Sequence, residues 1–177
     1  MFQIGHRLSY DFDVFSYSPV KKNVLYKVKQ NFGSNIYIET ETSDILSIKT
    51  NKGVVITFVF HPYKAIKKCI LTPSISLFHL DDLAANKAYT IGRRGAWRDY
   101  VDLFFFLKWN FYSIDTLISL ATKKFGGEFN EKLFLSQLTY FADIDIVSTV
   151  YIKEKYSDDE IKAFLEKKVH DYIIKRF

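Results

Sequence analysis

Ser9-Tyr10-Asp11-Phe12-Asp13-Val14-Phe15-Ser16 alternates aromatic or aliphatic side chains with Asp and Ser. That period of two predicts a half-buried strand over residues 10–16. Successive side chains on a strand face opposite ways, so Asp11 and Asp13 share one face while Phe12 and Val14 are expected to point into the core. Two carboxylates about 7 Å apart along one face can share divalent cations, and Mg²⁺ prefers such oxygen ligands. Phosphoryl and nucleotidyl transfer need such metal sites, because the cation neutralises a triphosphate and activates an attacking hydroxyl. An amphipathic edge strand with two solvated aspartates would show the same residues.

Outward from this strand the chain divides near residue 80. Lys22 to Phe32 places Val24, Leu25, Val28 and Phe32 at helical spacing, and Asn35–Thr40 and Ile45–Thr50 are rich in β-branched residues. Asn51-Lys52-Gly53 supplies a tight turn into Val54–Phe60, so the last two runs predict a hairpin. Val54–Phe60 is nearly all apolar, as for a strand buried on both faces, and Ile75–Phe78 is a candidate short strand. Beyond residue 80 the period becomes helical. Asp81 is the expected N-cap of a helix reaching about Arg94, Gly92 and Gly95 break the pattern, and a second helix runs from Ala96 to about Trp109. Ser113 and Asn130 read as caps of two more helices, and Ser157 with Glu160 forms a capping box for the last. The expected fold class is therefore α+β: a mixed sheet with helices over residues 1–80, then a helical bundle over residues 81–177.

The 177 residues are 48% apolar and 18% aromatic, enough for a sizeable core. Most of the aromatic residues, Phe104–Phe106 among them, fit core positions better than base-stacking ones. Cys69 is the only cysteine, which excludes an internal disulfide and a cysteine-based zinc site. The longest apolar run, Leu103–Leu107, is far short of the roughly 20 residues that cross a bilayer, and the first residues lack the pattern of a secretory signal. A cytoplasmic protein without a membrane partner is expected. The net charge of +5 agrees with an anionic partner and equally with an ordinary basic surface. His6, His61, His79 and His170 lack metal-ligand spacing and read as surface or satisfied side chains.

A second group of charged residues lies in the helical half. Lys87 and Arg94 are seven apart and share a helix face, and Asp99 and Asp102 share another at i,i+3. Arg98 and Asp102, at i,i+4, have the spacing of a surface ion pair. Read alone, the segment is a charged helix face or a pair of helices offering Lys and Arg to phosphates.

Taken together, the two segments resemble AbiEii/AbiGii-type toxins of the polymerase-β-like nucleotidyltransferase superfamily. GHRLSYDFDVFS (residues 5–16) is similar to the family segment in which a helix ends, an H-R pair turns the chain and a D-x-D strand follows. Leu83–Lys87 through Arg98-Asp99-Tyr100-Val101-Asp102-Leu103 resembles its later lysine motif and R-D-x-x-D-L helix, and residues 137–173 resemble the helical tail of some members. The resemblance implies that Asp11 and Asp13 bind Mg²⁺ (or Mn²⁺), and that Lys87 holds the phosphates of a nucleoside triphosphate with Arg94 or Arg98 and Ser9. It further implies that Asp99 is the late catalytic acidic residue, which orients the lysine or accepts a proton, with Asp102 the neighbouring candidate. The activity implied is transfer of NMP to a hydroxyl on RNA or protein, in a toxin paired with an antitoxin.

Two features depart from the family pattern. Its Gly-Gly-Ser/Thr loop, which cradles the triphosphate ahead of the D-x-D strand, is absent from the residues before Asp11, so an N-terminally shortened member is expected. Where such sites often add a third carboxylate, Val54–Phe60 offers only Thr57. The alternative expectation is a catalytically inactive module of the same fold that binds RNA, other nucleic acid or a partner protein. Phe125-Gly126-Gly127-Glu128-Phe129 is similar to the G-G-[D/E]-E-F loop of diguanylate cyclases. It lacks one acidic residue, however, and reads as a glycine helix C-cap.

Overall fold

The computed structural model describes residues 3–176, apart from the side chain of Arg94. The element order is β1 (Asp11–Ser16), α1 (Asn23–Phe32), β2 (Ile36–Glu41), β3 (Ile45–Thr50), β4 (Val55–Phe60), α2 (Leu80–Arg94), α3 (Trp97–Lys108), α4 (Ile114–Phe125), α5 (Glu131–Leu138) and α6 (Asp158–Arg176). The fold is α+β, with a mixed sheet and helices followed by a helical bundle. Contacts divide the chain into two compact units, one of Ser9–Lys64 and one of Met1–Leu8 with Ala65–Phe177.

The sheet unit has strand order β1-β4-β3-β2. β1 pairs parallel with β4, and the β2–β3 and β3–β4 pairs are antiparallel. The expected hairpin joins β3 to β4. Gly53 sits at φ 79° and its N–H donates to the Thr50 carbonyl at 2.9 Å, a turn conformation that glycine adopts without steric cost. The core lies on one face, where Val24, Leu25 and Val28 of α1 pack with Leu46 and Ile48 of β3, Ile56 and Phe58 of β4, and Ile36 and Ile38 of β2. Two expectations change here. β4 is half-buried along its whole length and is not enclosed on both faces. Phe12 is 39% exposed although in register with Ile56, because α1 covers β2–β4 and leaves the edge strand β1 outside the core.

In the helical unit α3 is the centre, with Tyr100, Val101 and Leu103–Phe106 buried. Local capping defines the helix starts. Ser113 Oγ accepts from Thr116 N–H at 3.1 Å, Asn130 Oδ1 from Leu133 N–H at 2.9 Å, and Ser157 with Glu160 forms the reciprocal box of α6. Replacing Ser113 by Ala is expected to lower stability by about 1 kcal/mol, read as a drop in the urea midpoint at unchanged m-value.

The cap of α2 differs from expectation. His79 Nδ1, not Asp81, accepts the capping N–H, that of Asp81 at 3.1 Å. Asp81 lies inside the first turn, where the helix dipole favours an anion, and accepts the Tyr112 hydroxyl at 2.7 Å. Gly92 continues α2 instead of breaking it. Residues 75–78 form a single bridge, Ile70 with Leu77, and no strand. Gly126 at φ 57° is the C-cap of α4, as the glycine-cap reading of residues 125–129 has it.

The segment before β1 belongs with the helices. Arg7 forms an antiparallel bridge with Tyr151, Leu8 N–H donates to the Val150 carbonyl, and Ile152 N–H donates to the His6 carbonyl, both at 2.9 Å. This pairing presents the His6 and Arg7 side chains to α3.

Candidate functional site

In the sheet unit, the face opposite α1 carries the polar side chains. Paired residues share a face, so the register aligns Asp11 with Val55 and Asp13 with Thr57, and Thr57 in turn with Ser47. Ser47 Oγ donates to Glu39 Oε2 at 3.0 Å and lies 3.3 Å from Thr57 Oγ1. With the Ser47 proton given to the carboxylate, the Thr57 hydroxyl donates to Ser47 and keeps its oxygen as an acceptor next to Asp13 in register. Ser9, at the entry to β1, turns its hydroxyl toward the Asp11 carbonyl at 3.5 Å.

Asp11 and Asp13 therefore lie on one sheet face beside a hydroxyl oxygen. Hard oxygen donors of this kind suit Mg²⁺, which keeps several waters or substrate oxygens in its shell. Among the described residues no three His, Cys, Asp or Glu side chains cluster to hold a metal by themselves. A cation on Asp11 and Asp13 would thus take its remaining ligands from substrate and water.

The helical unit builds a second constellation around a buried carboxylate. Asp102 of α3 is fully buried. Its Oδ1 accepts from His6 Nε2 and Arg7 Nε, each at 2.7 Å. Its Oδ2 accepts from Arg7 Nη2 at 2.9 Å and from Lys87 Nζ at 2.8 Å. These four bonds fill the carboxylate's acceptor positions. Burial alone would raise the Asp102 pKa, but Lys87, His6 and Arg7 outweigh it and hold the carboxyl well below the usual carboxylate range. A carboxylate can only accept, so His6 Nε2 carries a proton. Burial pushes the His6 pKa down, consistent with a neutral ring whose Nδ1 has no partner.

Lys87 of α2 stands between two aspartates, with Asp99 Oδ1 at 2.6 Å completing the pair. Burial would lower its pKa, yet the charges of Asp102 and Asp99 reverse this and keep the ammonium protonated far into alkaline pH. The Lys87 side chain is 22% exposed, and two of its three N–H donors are committed to these carboxylates. Asp99 Oδ2 also accepts the Ala96 N–H at 3.1 Å, which ties the carboxylate to the start of α3.

Lys87, Asp99 and Asp102 thus come together, and Asp11 and Asp13 share a face. Arg98 is exposed on α3, and the Arg94 side chain lies outside the described residues. Asp102 does not have the surface character of an i,i+4 ion pair, because it is buried among His6, Arg7 and Lys87. Sequence reading did not place His6 and Arg7 in this network. The adjacent H-R pair ahead of the D-x-D strand was the available signal, but the partner lies 95 and 96 residues away.

No family model matches the chain. A curated relative, the uncharacterized protein aq_aa25 of Aquifex aeolicus (strain VF5), is 24% identical over 182 aligned residues, covering 98% of this chain and 84% of that protein. Two crystal structures from Helicobacter pylori are similar, each with a TM-score of 0.50. One is JHP933, at 15% identity over 96% of this chain and 79% of that one. The other is described as a "putative nucleotidyltransferase", at 16% identity over 97% of this chain and 82% of that one. The chain has a nucleotidyltransferase-like fold. On that fold, the D-x-D strand and the lysine–aspartate network are the two groups of chemically capable residues singled out above. Among the described residues no helix is long and apolar enough to cross a membrane.

Proposed function

We propose that the protein is a toxin-type nucleotidyltransferase of the AbiEii/AbiGii kind, acting in the cytoplasm and held in check by an antitoxin protein. The observation that carries this reading is the pair Asp11 and Asp13 on one face of β1 in a nucleotidyltransferase-like fold. In the reaction, an acceptor hydroxyl on RNA or protein attacks the α-phosphorus of a nucleoside triphosphate. The new O–P bond forms as the bond to the β-phosphate oxygen breaks. Pyrophosphate leaves with that electron pair and the hydroxyl proton passes to water. Asp11 and Asp13 hold Mg²⁺ or Mn²⁺, which when bound neutralises triphosphate charge and activates the acceptor hydroxyl.

Lys87 gives the phosphates its remaining N–H, assisted by Arg94 or Arg98, and Ser9 contributes a hydroxyl near the strand. Asp99 orients the lysine. Asp102, with all its acceptor positions occupied, is a positioning residue that fixes Lys87 through a buried ion pair.

The test is a titration of the protein with each NTP, with and without Mg²⁺ or Mn²⁺, by calorimetry. An Asp11→Ala/Asp13→Ala double variant serves as control. Metal-dependent binding that vanishes in the double variant is the expected result. Absence of binding by every NTP would leave a nucleotidyltransferase-like fold serving as an interaction module.

A further inference from the structure

The stretch Asp143-Ile144-Asp145-Ile146-Val147-Ser148-Thr149-Val150-Tyr151-Ile152-Lys153-Glu154-Lys155, between α5 and α6, mirrors itself in charge. Asp143 and Asp145 open it, Lys153 and Lys155 close it, and aliphatic residues fill the middle. Thr149 is the centre, equally far from Asp145 and Lys153 and from Asp143 and Lys155. The aliphatic side chains are not spent on the core. Ile146, Val147, Val150 and Ile152 are 44%, 57%, 52% and 55% exposed. Both aspartates and both lysines are exposed as well.

One backbone edge of this stretch is taken and the other is open. The Val150 carbonyl accepts from Leu8 N–H, and Ile152 N–H donates to the His6 carbonyl. Backbone groups alternate sides along an extended chain, so the N–H and C=O of Tyr151 point away from residues 6–8. Those of Thr149, two residues back, fall on the same open side. Among the described residues the backbone groups of Thr149 and Tyr151 make no backbone hydrogen bond. An open edge flanked by exposed aliphatic side chains is a template on which another strand adds.

The charge pattern selects the strand that fits. A two-fold axis through Thr149 sets each residue opposite its mirror position in a second, antiparallel copy. Ile146 then faces Ile152, Val147 faces Tyr151, Ser148 faces Val150, and the aspartates face lysines at both ends. The parity also agrees, because Thr149 pairs with itself and Tyr151 with Val147, all residues of the open side. Other registers fail. A shift by one residue in either direction sets an aspartate opposite Glu154, and a shift by two keeps only one of the two charge pairs. Lys153 donates to the Ile4 carbonyl at 3.0 Å and retains two N–H groups for its aspartate. The backbone turns at 142–143 and bends at 152–153, so the ladder centres on residues 147–151 and the outer lysines reach their partners by side-chain length.

We propose that the chain forms a two-fold dimer by antiparallel pairing of residues 145–153 with the same residues of a second copy, Thr149 lying on the axis. The interface is isologous, so each pairing other than the one on the axis occurs twice. Neither the β1 aspartates nor the Lys87 network lies in the pairing stretch, and the dimer stands independently of the nucleotidyl-transfer reading.

Sedimentation velocity over a concentration series tests it with a charge swap. Wild type is expected to associate to a dimer. Asp143→Lys and Lys155→Asp are each expected to weaken association about tenfold, because like charges then face each other at both ends. An equimolar mixture of the two variants, and the double variant carrying both substitutions in one chain, are each expected to recover it. Both substitutions fall at exposed positions, and far-UV circular dichroism checks that the fold is kept. In a Cys69→Ser background, Thr149→Cys is expected to cross-link the dimer on oxidation by oxidised glutathione. Facing Cα atoms about 5.5 Å apart lie within reach of a disulfide. Ser148→Cys, which faces Val150, is expected to cross-link far less.

A wild type that stays monomeric across the whole series would overturn the proposal and leave the edge to a different partner. A dimer indifferent to the charge swap, or one cross-linked equally well at 148 and 149, would overturn it too.

Discussion

Replacing Asp102 by Asn is expected to destabilise the protein by about 3–5 kcal/mol, the range for breaking a buried ion pair from one side. Asp102 accepts two bonds from Arg7 and shares Lys87 with Asp99. Asn fills the same space but removes the charge, and it turns an N–H₂ donor toward groups that themselves only donate. Arg7 is nearly fully buried and would lose both of its charge-assisted bonds to that carboxylate. Urea unfolding at neutral pH checks the magnitude through the shift in midpoint.

The pH dependence carries a second signature. The folded Asp102 pKa lies below its unfolded value of about 3.9, so its contribution is fully present above that value and is lost as pH falls toward the folded pKa. The wild-type advantage over Asp102→Asn should stay constant from pH 7 to pH 5 and begin to shrink only below about pH 4. An advantage already fading near pH 6 would mean that another group, not Asp102, accounts for it.

A similarly large loss is expected for Asp82→Ala, for a different reason. Asp82 and Lys124 form an ion pair at 2.8 Å with both side chains fully buried, and Asp82 also accepts the N–H groups of Ile66 and Lys67 at 2.9 and 3.1 Å. Removing the carboxylate strands a buried ammonium and two amides, at a cost of about 3–5 kcal/mol. Lys124→Met leaves Asp82 with both amide donors and should cost less, roughly 1–3 kcal/mol.

The pH effect has the same sign as that of Asp102, stability rising with pH, but it enters as a penalty relieved and not as a contribution gained. Burial pushes the Lys124 pKa down against the pull of Asp82, so folding disfavours its protonated form. That penalty is fully present below the folded pKa and is relieved as pH rises toward the unfolded one. Equal losses for Asp82→Ala and Lys124→Met in urea unfolding would show that the amide bonds contribute nothing.

What the amino-acid sequence determined by itself was local. The alternation of Ser9–Ser16 made a strand, Asn51-Lys52-Gly53 made a hairpin, and Ser113, Asn130 and Ser157 capped helices, because each depends on a bond or a period within a few residues. Where the same local logic named Asp81 as a cap, the structure used His79, whose ring nitrogen is an acceptor that a reading limited to Ser, Thr, Asp and Asn overlooks. The Asp11–Asp13 pair and the i,i+3 spacing of Asp99 and Asp102 were legible for the same reason: one strand or one helix carries both residues.

Only the tertiary structure decided who meets whom. Asp102 is a buried hub and not a surface carboxylate because the segment around His6 pairs with residues 150–152 and carries two donors across the chain. The row Asp13–Thr57–Ser47 exists only once strand order and register are set. A one-residue slip would turn every one of a strand's side chains to the other face. Periodicity says that a residue has a face; register across neighbouring strands, and packing between distant segments, decide what shares it.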